Sequence, residues 1–561
     1  LRRGALCVGW AISLLLVAAA TARLWLAGQQ LPSGGPLRPR QAAIDVRRYE
    51  LDLRLDPARR SLAGRAVTHL LTVAPLDAVE LHLDDRLKVV AATVDGTAAR
   101  FRHRRGLVSV ELAAAWGPGE RHAVELRYAG RPKVAAKPPW LDGLVWAETP
   151  SGAAWLGVTV QGDGADDWWP CKDHPSDEPD DGVAIALTLP SELVALSNGR
   201  KTGETVHADG TTTTRWEVGH PINNYLVTFN AGPYVPIEAT YGGVDGDRAE
   251  TIVFWAIPEH REQAARLWQE QGAAMLASYA RRYGEYPYLD EKFHVAETPY
   301  LGMEHQTIVA YGADFENNEH GFDELLFHET AHEWWGNKVT ARDWADFWLQ
   351  EGFATYAVAL HVLDSRGEAA YLDHMRGVTA GIRNRVPIVG GRDRVASEAY
   401  VGDIYAKGAA VLHTLRWELG AAALDEALRR FATDALPADG LVETADFERL
   451  VGEIAGRNLD WFWQRYLRRA APPRWRLERT PTPPAREAIT LAWDDPAFEL
   501  ALPIVVAGEA RRVEMPGGHA RFEVPAGTPI EVDPERRILA EPAASHRTGP
   551  SGSRVGGTPE T

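Results

Sequence analysis

A chain of 561 residues is too long for a single compact core, so several domains are expected. With 45% hydrophobic and 24% charged residues it has the composition of an ordinary folded protein, and its formal net charge of −17 argues against a nucleic-acid partner, which needs a basic face. Its two cysteines, Cys7 and Cys171, exclude a disulfide scaffold and a cysteine-ligated zinc.

Arg2 and Arg3 precede an uncharged stretch from Gly4 to Ala22, which at about 1.5 Å per helical residue is just long enough to cross a bilayer. Residues 1–30 therefore read as a signal peptide or an uncleaved membrane anchor. Ala20-Thr21-Ala22 offers a small-x-small cleavage site, and Arg23 followed by Leu24-Trp25-Leu26-Ala27 reads equally as a juxtamembrane edge. Either reading places the remainder outside the cytoplasm, anchored or secreted. A Pro/Gly-rich linker is expected over 31–41.

From 42 to 238 the pattern is that of strands. Tyr49, Leu51, Leu53 and Leu55 alternate with Glu50, Asp52 and Arg54, and similar alternation recurs at Val79–Leu83, Val108–Leu112, Ala123–Tyr128 and Ile185–Leu189. Over 239–471 helices dominate, with a long amphipathic helix expected at Glu259–Tyr283 and others at Phe322–Gly336, Leu349–Ser365 and from Ala406 onward. Strands are expected at Phe293–Glu297 and Gln306–Tyr311, around a turn. Pro472-Pro473 opens a region of short strands, Ile489–Trp493, Ala501–Val506, Arg521–Val524 and Ile530–Val532, which makes 472–542 a small β-sandwich candidate. The Ser/Gly/Thr/Pro-rich tail, 543–561, is expected to be disordered. The chain is thus a multidomain α+β protein.

The strongest chemical signal is His328-Glu329-Thr330-Ala331-His332. Residues four apart share a helix face, so two imidazoles can grip one Zn2+ while Glu329 takes a proton from its water. Eighteen residues separate His332 from Glu351, which would supply the third ligand from the following helix. Two histidines and one glutamate leave net positive charge and an open position on a catalytic zinc, one per chain.

These motifs resemble those of the M1 family of metallopeptidases, the aminopeptidase-N-like gluzincins. The resemblance rests on His328–Asn337 (HETAHEWWGN), Lys338-Val339-Thr340 and Leu349–Tyr356 (LQEGFATY), and on Gly302-Met303-Glu304-His305, similar to the family's G-x-M-E-N. It implies a β-rich N-terminal domain, a thermolysin-like catalytic domain and a small C-terminal β-sandwich. It assigns Gly302, Met303, Glu304 and His305 to substrate binding, with Glu304 pairing with the free α-amine of a peptide. His305 stands where the family usually has asparagine, which puts a larger and chargeable ring beside Glu304. The resemblance also implies a second amine-binding group nine residues before Pro170-Cys171, which is Gln161, although Asp173-His174-Pro175 departs from the family's Asp-Glu-Pro. Tyr405, in Tyr405-Ala406-Lys407-Gly408, resembles the tyrosine that donates to the oxyanion; Tyr400 is a lesser candidate for the cleft.

Three side chains nearby are expected to be structural: Trp334 and Trp335 in the core, and Glu333 on a solvated helix face. The implied activity is that of a zinc aminopeptidase acting on peptides with a free N-terminus, associated with a membrane if the leader is retained. The alternatives are an endopeptidase or a leukotriene-A4-hydrolase-like epoxide hydrolase at the same zinc, and, from another class, an inactive membrane-tethered binding protein.

Overall fold

The structure is a computed structural model that describes residues 31–543 apart from Ala435 and Ala438. The expected leader or anchor, 1–30, and all but the first residue of the expected tail lie outside the described residues. No helix among the described residues is long and apolar enough to cross a membrane. The chain clusters into two compact units: one runs to Arg383 and resumes over Ile388–Asn458, and the other comprises Asn384–Pro387 and the chain from Leu459.

The first unit begins with the predicted strands. Ile44–Asp56 buries Tyr49, Leu51, Leu53 and Leu55 on one face, as the period of two requires, and lies at the centre of an eight-stranded sheet. It pairs antiparallel with Ser61–Thr72 and parallel with Val183–Pro190, placing Leu51 opposite Ile185 and Leu53 opposite Leu187. A three-stranded sheet (Leu76–His82, Leu107–Trp116, Phe101–Arg104) and a four-stranded one (Val194–Ser197, Phe229–Gly232, Ala154–Thr159, Gly143–Glu148) complete the β-rich part. The segment expected as a linker is partly fastened: Gly35 N–H donates to Arg394 O (2.9 Å) and Ala396 N–H to Ser33 O (3.0 Å). Cys171 is a free, buried thiol.

Strand Val235–Tyr241, which spans the boundary expected after 238, opens a five-stranded sheet ordered Val235–Tyr241, Glu250–Ala256, His294–Glu297, Ile308–Tyr311, Gly302–Met303. His294–Glu297 and Ile308–Tyr311 are parallel neighbours, not a hairpin, and the edge strand is Gly302–Met303. The long helix expected at Glu259–Tyr283 is helical over Arg261–Leu267 and Ala273–Tyr283, with a wide π turn at Trp268–Gly272 between them. The Trp268 ring lies so close to Gly272 that a Cβ there would meet it at 2.9 Å. A larger residue would press the indole out of the core it fills.

The helix expected at Phe322–Gly336 is ordered over Glu324–Ala331 and leaves α geometry after His332. Asp323 caps it, accepting Leu326 N–H at 2.9 Å. Gly336, at φ +134°, turns the chain back so that Asn337 N–H donates to His332 O (3.0 Å). Helix Trp348–Arg366 follows, and helix Asp403–Leu419 crosses it with no side chains between: a Cβ on Gly352 would meet Gly408 Cα at 2.9 Å. Two glycines thus let the helix backbones touch.

In the second unit, four strands (His519–Pro525, Arg486–Trp493, Arg474–Thr482, Glu541–Pro542) and three strands (Glu509–Val513, Leu502–Val506, Ile530–Val532) form two small sheets. Ile489, Leu491, Trp493, Phe498 and Ile504 are buried among them. The Trp493 ring meets Phe498 edge-on at 4.9 Å.

Candidate active site

Helix Glu324–Ala331 and the turn after it present His328 and His332 to Glu351, in the first turn of Trp348–Arg366. The ligand-capable atoms form a nearly equilateral triangle. His328 Nε2 and His332 Nε2 are 3.3 Å apart, and Glu351 Oε2 lies 3.5 Å from the first and 3.3 Å from the second. Tetrahedral zinc with bonds of about 2.0–2.1 Å holds its ligands about 3.3 Å apart, so the triangle already has the dimensions of a zinc site. Among the described residues no other group of three or more His, Cys, Asp or Glu is arranged to hold a metal.

Two further observations fit a metal. Glu351 Oε2 is buried and makes no hydrogen bond in a site where burial makes such an omission costly. His332 Nδ1 lies 2.7 Å from Trp335 O; donating there fixes the tautomer and leaves Nε2 as the lone-pair donor. Without metal, burial opposes charge on His332, but Glu351, Glu304 and Glu329 together outweigh it and raise the His332 pKa. Burial likewise opposes charge on Glu351, and His332 and His328 together hold the carboxyl low. A cation at the centre of the triangle would supply the positive charge that Glu351 otherwise finds only on the histidines.

Glu329 is buried beside this triangle. Burial, with Glu304 and Glu351 adding to it against the opposing pull of His332, raises its pKa well above the usual carboxylate range. A Cβ on Gly302 would meet Glu329 Oε1 at 2.7 Å, so only glycine on this edge strand leaves the carboxylate its place. Met303, next on the strand, is buried.

Glu304 follows the edge strand and is 3% exposed. Gln161 reaches it from the β-rich part, Nε2 donating to Glu304 Oε1 at 2.5 Å, so the amide oxygen is not used in that bond. Burial raises the Glu304 pKa and Glu351 adds to the effect, partly offset by His332. An ammonium placed there would supply the missing counter-charge. The buried Tyr225 belongs to the same cluster: after burial, the charges of Glu304 and Glu351 are what push its phenol pKa up.

Tyr405 O–H donates to Glu351 Oε1 at 2.9 Å, a reach allowed by the glycine contact between the two helices. Burial and Glu351 raise its pKa well above 10, so it remains a proton donor. Tyr400 hydrogen-bonds the Tyr405 hydroxyl and is itself partly exposed, which brings the lesser candidate to the site's rim.

Two sequence expectations need correction. Glu333 is not on a solvated face: it is fully buried, and its carboxylate accepts Thr307 N–H (2.9 Å) and Asn337 Nδ2–H (3.3 Å). His305, expected as a chargeable ring beside Glu304, is instead held neutral. It is fully buried, neither ring nitrogen has a hydrogen-bond partner, and burial holds its pKa down to about 3. The unfolded ring takes up a proton below about pH 6.5 and the folded ring only near pH 3, so stability is intact above 6.5 and lost as pH falls. At about 1.4 kcal/mol per pH unit, roughly 2 kcal/mol should disappear between pH 6.5 and 5. His305→Asn should flatten the fall of Tm over that range; an unchanged slope would contradict the buried neutral ring. Trp334 and Trp335 are fully buried, as core residues should be.

With this geometry in place, comparison with known proteins is informative. Residues 288–466 match the model of the peptidase family M1 domain. The chain carries a peptidase family M1 domain. The M1 domain holds the whole triangle, Glu329 and Tyr405, whereas Gln161 lies in the β-rich part before it. Mouse aminopeptidase B is 27% identical over 348 residues, 56% of this chain and 50% of its own length. The leucyl aminopeptidase of Saccharolobus solfataricus is 26% identical over 289 residues, 48% of this chain and 33% of its own. The chain thus spans about half the length, or less, of these curated relatives. Among solved structures, a mutant M1 zinc metallopeptidase from Deinococcus radiodurans bound to a Tyr-Ser-Ala substrate is similar, with 27% identity and a TM-score of 0.65 over 79% of this chain and 98% of that one. The multidomain α+β architecture agrees with that structure, and the His328–His332–Glu351 triangle fits the zinc that its description names.

Proposed function

We propose that this protein is a zinc aminopeptidase that removes the N-terminal residue of peptides. The observation that carries the reading is the placement of Glu304, braced by Gln161, in the same buried cluster as Glu329 and the His328–His332–Glu351 triangle. A carboxylate there fixes a peptide's α-ammonium so that the first peptide bond lies at the metal. The aminopeptidase relatives, and the peptide bound in the Deinococcus structure, support it.

Zinc held by His328, His332 and Glu351 supplies Lewis acidity that makes water a nucleophile near neutral pH and polarises a carbonyl. Glu304 and Gln161 bind and orient the α-ammonium. Glu329 takes the proton of the attacking water and passes it to the departing amine nitrogen. The Tyr405 hydroxyl donates to the carbonyl oxygen as that oxygen gains charge. The products are a free amino acid and a shortened peptide.

Aminoacyl arylamides assayed with and without a chelator test this. Chelator-sensitive release, abolished when the substrate amine is acetylated, is the expected result; cleavage of N-blocked peptides without arylamide release would overturn it in favour of an endopeptidase. Tyr405→Phe should lower kcat by about 10^2–10^3-fold, the scale of losing one oxyanion donor, with little change in KM. We also propose export, on the strength of the Arg2-Arg3 and Gly4–Ala22 pattern. Membrane fractionation and N-terminal sequencing of the cell-made protein distinguish a cleaved leader, an anchor and neither.

A further inference from the structure

We infer that Glu333 is a positioning residue that sets the amine anchor Glu304 at a fixed distance from the metal ligands; the role rests on the aminopeptidase reading above. The turn His305–Ile308, closed by Ile308 N–H donating to His305 O at 3.0 Å, follows Glu304 directly. Thr307 in this turn has φ +63°, a left-handed conformation that is unfavourable for a β-branched residue and must be held by its surroundings. Strand residue His294 donates its N–H to Thr307 O (3.1 Å), and further holders come from two sides. From the β-rich part, Asn198 Nδ2–H donates to Gln306 O (2.6 Å), Gly199 N–H to Thr307 Oγ1 (2.8 Å), and Gln306 Nε2–H reaches back to Pro221 O (3.2 Å).

From the metal side, Glu333 Oε1 accepts Thr307 N–H at 2.9 Å. Glu333 Oε2 accepts Asn337 Nδ2–H at 3.3 Å, and the same Nδ2 group donates to Glu304 O at 3.0 Å. Glu333 is the residue next to His332, so the bonds run from the chain segment that carries a metal ligand to the backbone of the amine anchor. Glu333, Asn337, Thr307 and Glu304 are all buried. No water competes for the bonds, and removing the carboxylate would leave Thr307 N–H unsatisfied. The Glu333 carboxyl bonds to the turn and to Asn337, not to the three metal-ligating side chains, so it acts through the turn. Its chemistry for this purpose is that of two acceptor oxygens, one for the turn and one for the asparagine that steadies Glu304.

The test uses two metal-binding probes on the zinc-loaded full chain: leucine hydroxamate, with a free amine, and N-acetyl-leucine hydroxamate, without one. Their Kd values by calorimetry report the amine anchor as a ratio and the metal site as a common term. Wild type should prefer the free amine. In Glu333→Ala that preference should collapse by about 10–100-fold, the scale of leaving a buried N–H unsatisfied, while the acetylated probe and the bound zinc stay as in wild type. Glu333→Gln, which keeps an oxygen for Thr307 N–H but turns an NH2 toward Asn337 Nδ2, should restore part of the preference. If Glu333→Ala does not fold, Asn337→Ala is read in the same way. Equal weakening of both probes, loss of zinc, or an unchanged preference would overturn the role. Equal binding of both probes by wild type would instead overturn the aminopeptidase reading, and the role with it.

Discussion

Glu329→Gln should leave one zinc per chain in place and lower kcat on aminoacyl arylamides by about 10^2–10^4-fold, the range assigned to a positioned general base. The metal should stay because Glu329 is not among the atoms of the triangle. The rate should fall because the amide has no lone pair of comparable basicity. Without metal, burial raises the pKa of this carboxyl and Glu304 and Glu351 add to it, against the pull of His332. Folding should not suffer, since glutamine removes a charge from a cluster that already contains two other buried carboxylates. The measurements are kcat, metal content and Tm. A variant that keeps kcat within tenfold of wild type would remove Glu329 from the chemistry.

Glu351→Ala should be equally severe for a different reason: the metal itself should be lost. Zinc affinity should fall by more than the 10–100-fold, or about 10^2 at most, that groups merely orienting a ligand contribute. Glu351 supplies the negative charge among the three ligands, and its Oε2 has no other partner to release. Its Oε1 also receives the Tyr405 hydroxyl, so the same substitution frees the phenol. Activity should become undetectable, and dialysed protein should carry no zinc. Retention of stoichiometric zinc by this variant would mean that another group completes the site.

What could be read from the sequence depended on how local the cause was. The metal histidines are one helical turn apart and declare themselves through spacing alone. The strand Ile44–Asp56 alternates because one face is buried, and that pattern survives whatever its neighbours are. The edge strand Gly302–Met303 is two residues long, too short for any period, and it exists because Tyr311 and Ala310 are there to pair with it. Glu333 misled for a related reason. A glutamate on a helical segment is polar wherever it points, and its burial follows from a turn earlier in the chain that offers it Thr307 N–H. The π turn at Trp268–Gly272 depends on the packing of one indole, which helical periodicity averages away. His305 could be seen as an unusual residue, but its neutrality is a property of the cavity that closes over it.

The hydrogen bond between Gln161 and Glu304 also bears on the order in which the protein assembles. The two histidines meet across a separation of 4 residues, Tyr405 and Glu351 across 54, and Gln161 and Glu304 across 143. Contacts between distant parts of a chain form late, because the entropy of closing the intervening loop is lost before the contact returns anything. The metal ligands, all within residues 328–351, should therefore come together before Gln161 reaches Glu304. The site for a chain terminus should be complete only later, when Gln161 of the β-rich part reaches Glu304 and donates to its carboxylate.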